Sequence, residues 1–278
     1  MTWRSLLYVP ASSDRFLEKA QTRGADALIL DLEDSVPDDT KPAARERLAR
    51  HWDALARGPS ELIVRINGPL LDAARDLDAV VRPGLRALYL AKARGPETLG
   101  WLAEALTGLE AARGLPVGSI ALIPVIEDPA ALESVFGIAR APRVVALTLG
   151  SEDFATACGM PPGPDHLAPA RARIVQAAAA AGIAPLGLLD TAAVLDGDPD
   201  LVRRSRAFGF ADAAVVHPGL IAALNTGFAP SPDEVAWARA VLAALSEAQA
   251  RGEGAVRLNG RMIDKPVAAR ARAILERS

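Results

Sequence analysis

The chain has 278 residues, half of them apolar but only 4% aromatic, and a formal net charge of −3. That length holds one large domain or two small ones around a sizeable core, and the near-balanced charge supplies no basic stripe for a nucleic acid. The single cysteine, Cys158, excludes an internal disulfide and a thiolate zinc site, and no apolar run reaches the ~18 residues of a membrane-spanning helix.

The opening MTWRSLLYVP lacks the long apolar region and small-residue cleavage site of a signal peptide. A cytoplasmic protein with no membrane partner is therefore expected. RSLLYV (4–9) reads as a first strand. Similar runs follow at DALILDLE (26–33), ELIVRIN (61–67), RALYLAK (86–92), IALIPVIE (120–127), VVALTLG (144–150), APLGLL (184–189) and AAVVHP (213–218). Most are continuously apolar rather than alternating, the pattern of parallel strands covered on both faces. Helix-compatible segments lie between them, among them KPAARERLARHWDALA and PETLGWLAEALTGLEAAR, and several end at Gly, a common C-cap signal.

Strands alternating with helices give a parallel sheet with right-handed crossovers. Eight such units in about 220 residues match a (β/α)8 TIM barrel, so the predicted fold is α/β, with the barrel over residues 1–228. A doubly wound open sheet has the same periodicity and stays open as an alternative. Residues 229–278 differ. APSPDEVAWARAVLAALSEAQARG reads as one long helix, GEGAVRLNGRMIDKP as a β-turn-like excursion, and the end as a further helix. This C-terminal helical extension is not a ninth barrel unit; it can serve as an extra layer, a lid, or an arm reaching a neighbouring subunit.

In such a barrel the chemistry sits at the C-terminal ends of the strands. The polar residues there are Asp31, Glu33 and Asp34, then Arg65 and Asn67, Lys92, Glu127, Glu152 and Asp153, Asp190, and His217. So many acids in a partly buried mouth need compensating charge. A divalent cation meets that need, and oxygen ligands without cysteine favour Mg²⁺ over Zn²⁺. Single acids have a blander role as helix N-caps, expected for Asp128, Asp14 and Asp165. Likewise Arg65 alone would simply pair with Glu33, His217 reads as a hydrogen-bonded structural residue, and Cys158 as a small buried filler. Capping does not explain Glu127, because the next residue, Asp128, is better suited to it.

In chain order, RSLLYVPASSDRFLEKA, DALILDLEDSVPDDTKPAAR, VRING, IPVIEDPAAL, GSEDFA, GFADAAVVHP, FAPSPDEVAWA and GRMIDKP span essentially the whole sequence. Together they resemble the citrate lyase β-subunit-like branch of the HpcH/HpaI aldolase superfamily. The resemblance implies a (β/α)8 barrel that uses Mg²⁺ to make or break a carbon–carbon bond between an acyl-CoA and a 2-oxo acid. It implies Glu127 and Asp153 as metal ligands, Arg65 as the arginine facing the substrate, and Asp34 near the metal's waters, with Asp190 at the substrate. It implies Asp264 as an acid/base aspartate delivered by the C-terminal segment into a neighbouring subunit's site, and hence a homotrimer. Tyr8, Arg15, Lys19 and Lys41 fall on the CoA side, where cations would meet phosphates.

The sequence departs from the family pattern at Asp212-Ala213, where Gly-Lys is usual, at Gly219 in place of Gln, at Ala11 in place of Gly, and at Ala91 in place of Pro. These changes touch the CoA side and the acyl group accepted. The expected reaction is cleavage of citryl-CoA, citramalyl-CoA or malyl-CoA to acetyl-CoA and oxaloacetate, pyruvate or glyoxylate. Two other expectations stand beside it. One is hydrolysis of a malyl-CoA-type thioester; the other is a subunit inactive without citrate lyase-like complex partners.

Overall fold

The computed structural model describes residues 3–190, 198, 200–250, 252, 256–258 and 260–277. The chain divides into two compact units, one over Trp3–Asn225 and one over Thr226–Ser278. The first is built on β1 (Ser5–Pro10), β2 (Ala27–Asp31), β3 (Glu61–Ile66), β4 (Leu85–Leu90), β5 (Ala121–Ile126), β6 (Ala146–Leu149), β7 (Ala184–Leu186) and β8 (Ala213–Val215). All neighbours pair in parallel, in the order β7-β6-β5-β4-β3-β2-β1-β8. A parallel bridge between Leu186 and Asp212 joins the two ends, with Gly187 N–H donating to Asp212 O at 2.8 Å and Ala211 N–H to Pro185 O at 2.9 Å. The sheet is thus a (β/α)8 barrel, and the open-sheet alternative falls away.

The helices along this part of the chain are α1 (Asp14–Ala20), α2 (Lys41–Ala56), α3 (Leu70–Val80), α4 (Pro96–Ala112), α5 (Pro129–Glu133), α6 (Val135–Ala139), α7 (Ser151–Ala157), α8 (Pro164–Ala181), α9 (Leu201–Phe208) and α10 (Ile221–Phe228). Proline in the first turn opens α2, α4, α5 and α8, where its missing N–H loses no bond. Asp128 caps α5 as expected, accepting from Ala131 N–H at 2.8 Å. Asp14 and Asp165 do not cap. Ser13 holds the cap position of α1, which frees Asp14 to bind Arg47 at 3.0 Å and His51 at 2.8 Å; Asp165 sits inside the first turn of α8 behind Gly163. His217 accepts from Gly219 N–H at 3.2 Å, a structural role. Cys158 is exposed rather than buried, because it ends the short α7 at the surface.

Strand alternation organises the barrel core. Leu6, Ala27, Ile29, Ile63, Ala87, Tyr89, Ile123 and Val125 form one buried cluster inside the barrel. The intervening Leu28, Leu30, Leu62, Val64, Leu88 and Leu122 are buried on the other face, under the helices. Both faces being covered explains why the strands read as unbroken apolar runs.

In the smaller unit, α11 (Pro232–Ala250) and α12 (Lys265–Leu275) pack with the antiparallel pair β9 (Val256–Leu258) and β10 (Arg261–Ile263). Ala238, Val241, Leu245, Ile263, Ala268, Ala271 and Ile274 make its own core. The expected β-turn-like excursion is this hairpin in part, since residues 253–255 and 259 lie outside the described set. Among the described residues no helix is long and apolar enough to cross a membrane.

At the N-terminal end of β5, fully buried Glu110 accepts from Gly118 N–H at 2.7 Å, Ile120 N–H at 2.9 Å and both Arg143 Nη atoms at 2.9 and 2.8 Å. Burial alone would raise its pKa, but the Arg143 hydrogen bonds and the two backbone N–H groups hold it at about 2. A carboxyl lowered on folding stabilises the native state fully above its unfolded value near 4.5, and that contribution fades as pH falls toward about 2. Glu110→Gln, measured by urea unfolding at pH 7, is expected to lose about 3 kcal/mol, with the difference from wild type shrinking as pH falls below about 4.

Candidate active site

The alternation that fills the barrel interior continues to the C-terminal strand ends, where apolar side chains give way to charged ones. Ile29 is followed two residues on by Asp31, Ile63 by Arg65 and Val125 by Glu127, so each charged group caps the inward column of its own strand. Arg65 clamps Asp31 bidentately, Nε to Oδ1 and Nη2 to Oδ2, both at 2.7 Å. Its Nη1 lies 3.0 Å from Glu33 and 3.4 Å from Asp34, and its guanidinium stands 5.2 Å over the Tyr8 ring. Lys92 Nζ completes the group at 2.7 Å from Glu33 and 3.4 Å from Asp34.

Two cations thus hold three carboxylates, and the titration of Arg65, Lys92, Glu33 and Asp34 is shifted. Burial would lower Arg65, but the Asp31 hydrogen bonds and charge raise it. The Glu33 hydrogen bond raises Lys92. Burial pushes Glu33 up, aided by its hydrogen bond with Asp34. For Asp34 the burial effect is outweighed by that same bond and by Arg65 and Lys92, which leave it below the usual range.

Glu127 and Asp153 stand outside this network, and among the described residues neither forms an ion pair. Glu127 is 6% exposed. Burial lifts its carboxyl to about 7, the charges of Asp153 and Glu33 add to the shift, and the Lys92 backbone N–H opposes it. That N–H donates to Glu127 Oε2 because Lys92 adopts φ 53°, a left-handed conformation rare outside glycine. Gly150 lets the end of β6 pass tightly against Glu127: a Cβ there would stand 2.4 Å from Glu127 Cγ and 2.7 Å from Oε1. The chain then turns into α7, whose first turn carries Glu152 and Asp153.

These groups face a cavity of about 280 Å³, lined by Tyr8, Arg65, Tyr89, Glu127, Thr148, Glu152, Asp153, Arg171 and Asp190, with Leu186, Leu188 and Phe210 on its apolar side. Its metal-binding chemistry is all oxygen. Among the described residues no three His, Cys, Asp or Glu side chains converge on one point. Two carboxylates with open space beside them suit Mg²⁺, which keeps most of its waters, and do not suit a four-ligand zinc site.

The structure brings Arg65, Glu127, Asp153, Asp190 and Tyr8 to one cavity and leaves Asp34 outside its lining, half exposed and 3.4 Å from Arg65 Nη1. Arg15 and Lys19 project from the exposed face of α1, and Lys41 pairs with Asp38 at 2.6 Å. Asp264, in the smaller unit, caps α12 by accepting from Val267 N–H at 3.2 Å. The sequence reading passed over Tyr89, Thr148 and Arg171. For Arg171 a signal was present: Leu167, Ala170, Ile174, Ala177 and Ala178 form the buried stripe of α8, and Arg171 falls inside that stripe.

A family model described as HpcH/HpaI aldolase/citrate lyase matches residues 4–218. The chain is 32% identical over 282 residues to citrate lyase subunit beta of Leuconostoc mesenteroides subsp. cremoris, covering 98% of this chain and 92% of that one. It is 31% identical to mitochondrial citramalyl-CoA lyase of Homo sapiens, covering 95% and 82%. Among solved structures, the CitE protein of Mycobacterium tuberculosis in complex with magnesium, acetoacetate and coenzyme A superposes with a TM-score of 0.76 at 30% identity, covering 99% and 98%.

The close approach at Gly150 is open to test by unfolding. Gly150→Ala is expected to destabilise by about 1–3 kcal/mol, because Glu127 must move. Gly100→Ala, in open space within α4, is expected to be neutral or to stabilise by up to about 1 kcal/mol.

Proposed function

The chain belongs to the HpcH/HpaI aldolase/citrate lyase family, in its citrate lyase β-subunit-like branch, and from that premise we propose that it is a Mg²⁺-dependent oxo-acid lyase. Its substrate is a 3-hydroxy-3-carboxyacyl-CoA, cleaved to a 2-oxo acid and acetyl-CoA. The observation that carries this reading is the pair Glu127 and Asp153, left out of the ion-pair network yet facing the same cavity as Arg65. The magnesium and coenzyme A held by the M. tuberculosis protein support it.

Mg²⁺ held by Glu127 and Asp153 would lower the pKa of the substrate hydroxyl and polarise the ketone that forms from it. In cleavage the hydroxyl proton passes to a base. The bond between the hydroxyl-bearing carbon and the carbon beside the thioester breaks, and its electron pair moves onto the thioester oxygen. Arg65 sets positive charge at that developing enolate. Asp31 clamps the guanidinium through two hydrogen bonds, so it is already in place before the charge develops. The enolate carbon then takes a proton, which we assign to Asp264 of a neighbouring copy of the chain. Arg15 and Lys19, exposed on α1, are our assignment for the CoA phosphates.

Glu127→Ala and Asp153→Ala are each expected to abolish Mg²⁺ binding in calorimetry and to lower turnover at least about 10³-fold; full turnover by the double variant contradicts the reading. Asn caps a helix as well as Asp does. Asp264→Asn is therefore expected to keep its melting temperature while kcat falls about 10²–10⁴-fold.

A further inference from the structure

One charged side chain in the cavity wall has no part in the chemistry above. Arg171 is 1% exposed and heads the fully buried side chains by volume. Its guanidinium carries five N–H donors, yet its hydrogen bonds are long, Nη1 to Gly163 O at 3.4 Å and Nη2 to Ser151 Oγ at 3.3 Å. Among the described residues no carboxylate stands within ion-pair distance. Burial lowers its pKa, and the charge of Asp190 only partly offsets that. A buried charge without a partner is costly, and such a group in a cavity wall has a reason to be there when an anion enters.

Arg65 and Arg171 are the two cations lining the cavity among the described residues, and they differ. Arg65 is matched by Asp31, Glu33 and Asp34. Among the described residues Arg171 is matched by no carboxylate at ion-pair distance. Every 2-oxo acid considered above carries one carboxylate beside its keto carbon, which on the lyase reading would lie with the substrate hydroxyl beside Glu127 and Asp153. What differs is the remaining substituent, which is hydrogen, methyl or a carboxymethyl arm. Hydrogen and methyl leave the buried guanidinium with only its two long hydrogen bonds, whereas a carboxylate satisfies it by charge and by bidentate hydrogen bonds.

Building on the lyase reading, we propose that Arg171 is a specificity-determining residue that receives the second carboxylate of a dicarboxylic 2-oxo acid. The substrate class is then a 3-hydroxy-3-carboxyacyl-CoA bearing a carboxymethyl arm, of the citryl-CoA type, and the product acid is of the oxaloacetate type. A site built to hold a polar group discriminates strongly against analogues that lack it, because its own polar group is left buried and unpaired.

The test compares wild type, Arg171→Met and Arg171→Lys in turnover of citryl-CoA and citramalyl-CoA with Mg²⁺, and in calorimetric binding of oxaloacetate and pyruvate. Wild type is expected to prefer citryl-CoA, with Arg171→Met losing about 100-fold in kcat/KM on it and changing less than about threefold on citramalyl-CoA. Arg171→Lys is expected to lie between. Removing an unmatched buried charge leaves the melting temperature of Arg171→Met at or above that of wild type, which separates substrate recognition from a structural role. Equal losses on both thioesters, or none, in a folded Arg171→Met overturn the proposal. If wild type turns over neither thioester, the lyase reading fails and binding decides separately. Oxaloacetate bound at least about tenfold more tightly than pyruvate, with the ratio lost in Arg171→Met, supports the role of Arg171; equal affinities in wild type overturn it, including where the Met variant does not fold.

Discussion

Arg65 and Asp31 meet through two hydrogen bonds of 2.7 Å on the inward columns of adjacent strands, with Asp31 2% exposed. A carboxylate that deep in a barrel mouth survives only with its charge matched, and the arginine that matches it is the one aimed into the cavity. The register between β2 and β3 sets Asp31 opposite Arg65. Glu33, Asp34 and Lys92 then gather around the same guanidinium and form one nearly neutral block. Their mutual satisfaction leaves Glu127 and Asp153 outside the ion pairs among the described residues, a division of labour fixed by strand order and side-chain parity.

The backbone holds that division in place. Lys92 serves both halves of the mouth, its Nζ on Glu33 and its main-chain N–H on Glu127. This dual use depends on the left-handed turn at the end of β4. On the β6 side of Glu127, Gly150 removes the Cβ that would displace it. Glu127 is therefore fixed on two sides by main chain rather than by a counter-charge, which keeps its carboxyl basic and positioned while leaving its charge available.

Much of the barrel was legible because parallel strands buried on both faces leave an unmistakable apolar run, and the eight runs in sequence correspond to the eight strands. Strand ends were less legible. The run read as 184–189 forms a strand only over Ala184–Leu186, since Gly187 turns away at φ 150°. The gathering of Arg65, Glu127, Asp153 and Asp190 followed from their places after strands. The left-handed Lys92 did not, because no residue type announces that conformation as glycine does. Arg171 was passed over, although its spacing from Leu167 and Ile174 sets it in the buried stripe. The expected caps at Asp14 and Asp165 went to neighbouring residues, because Ser13 and Gly163 occupy the positions where those helices begin.

The most direct measurement is chromatography of the products formed from citryl-CoA, citramalyl-CoA and malyl-CoA by the purified chain, with Mg²⁺ and with chelator. A Mg²⁺-dependent lyase releases acetyl-CoA and the matching 2-oxo acid in equal amounts, and chelator stops both. Free CoA without acetyl-CoA, or cleavage indifferent to chelator, would contradict the roles given to Glu127, Asp153 and Arg65.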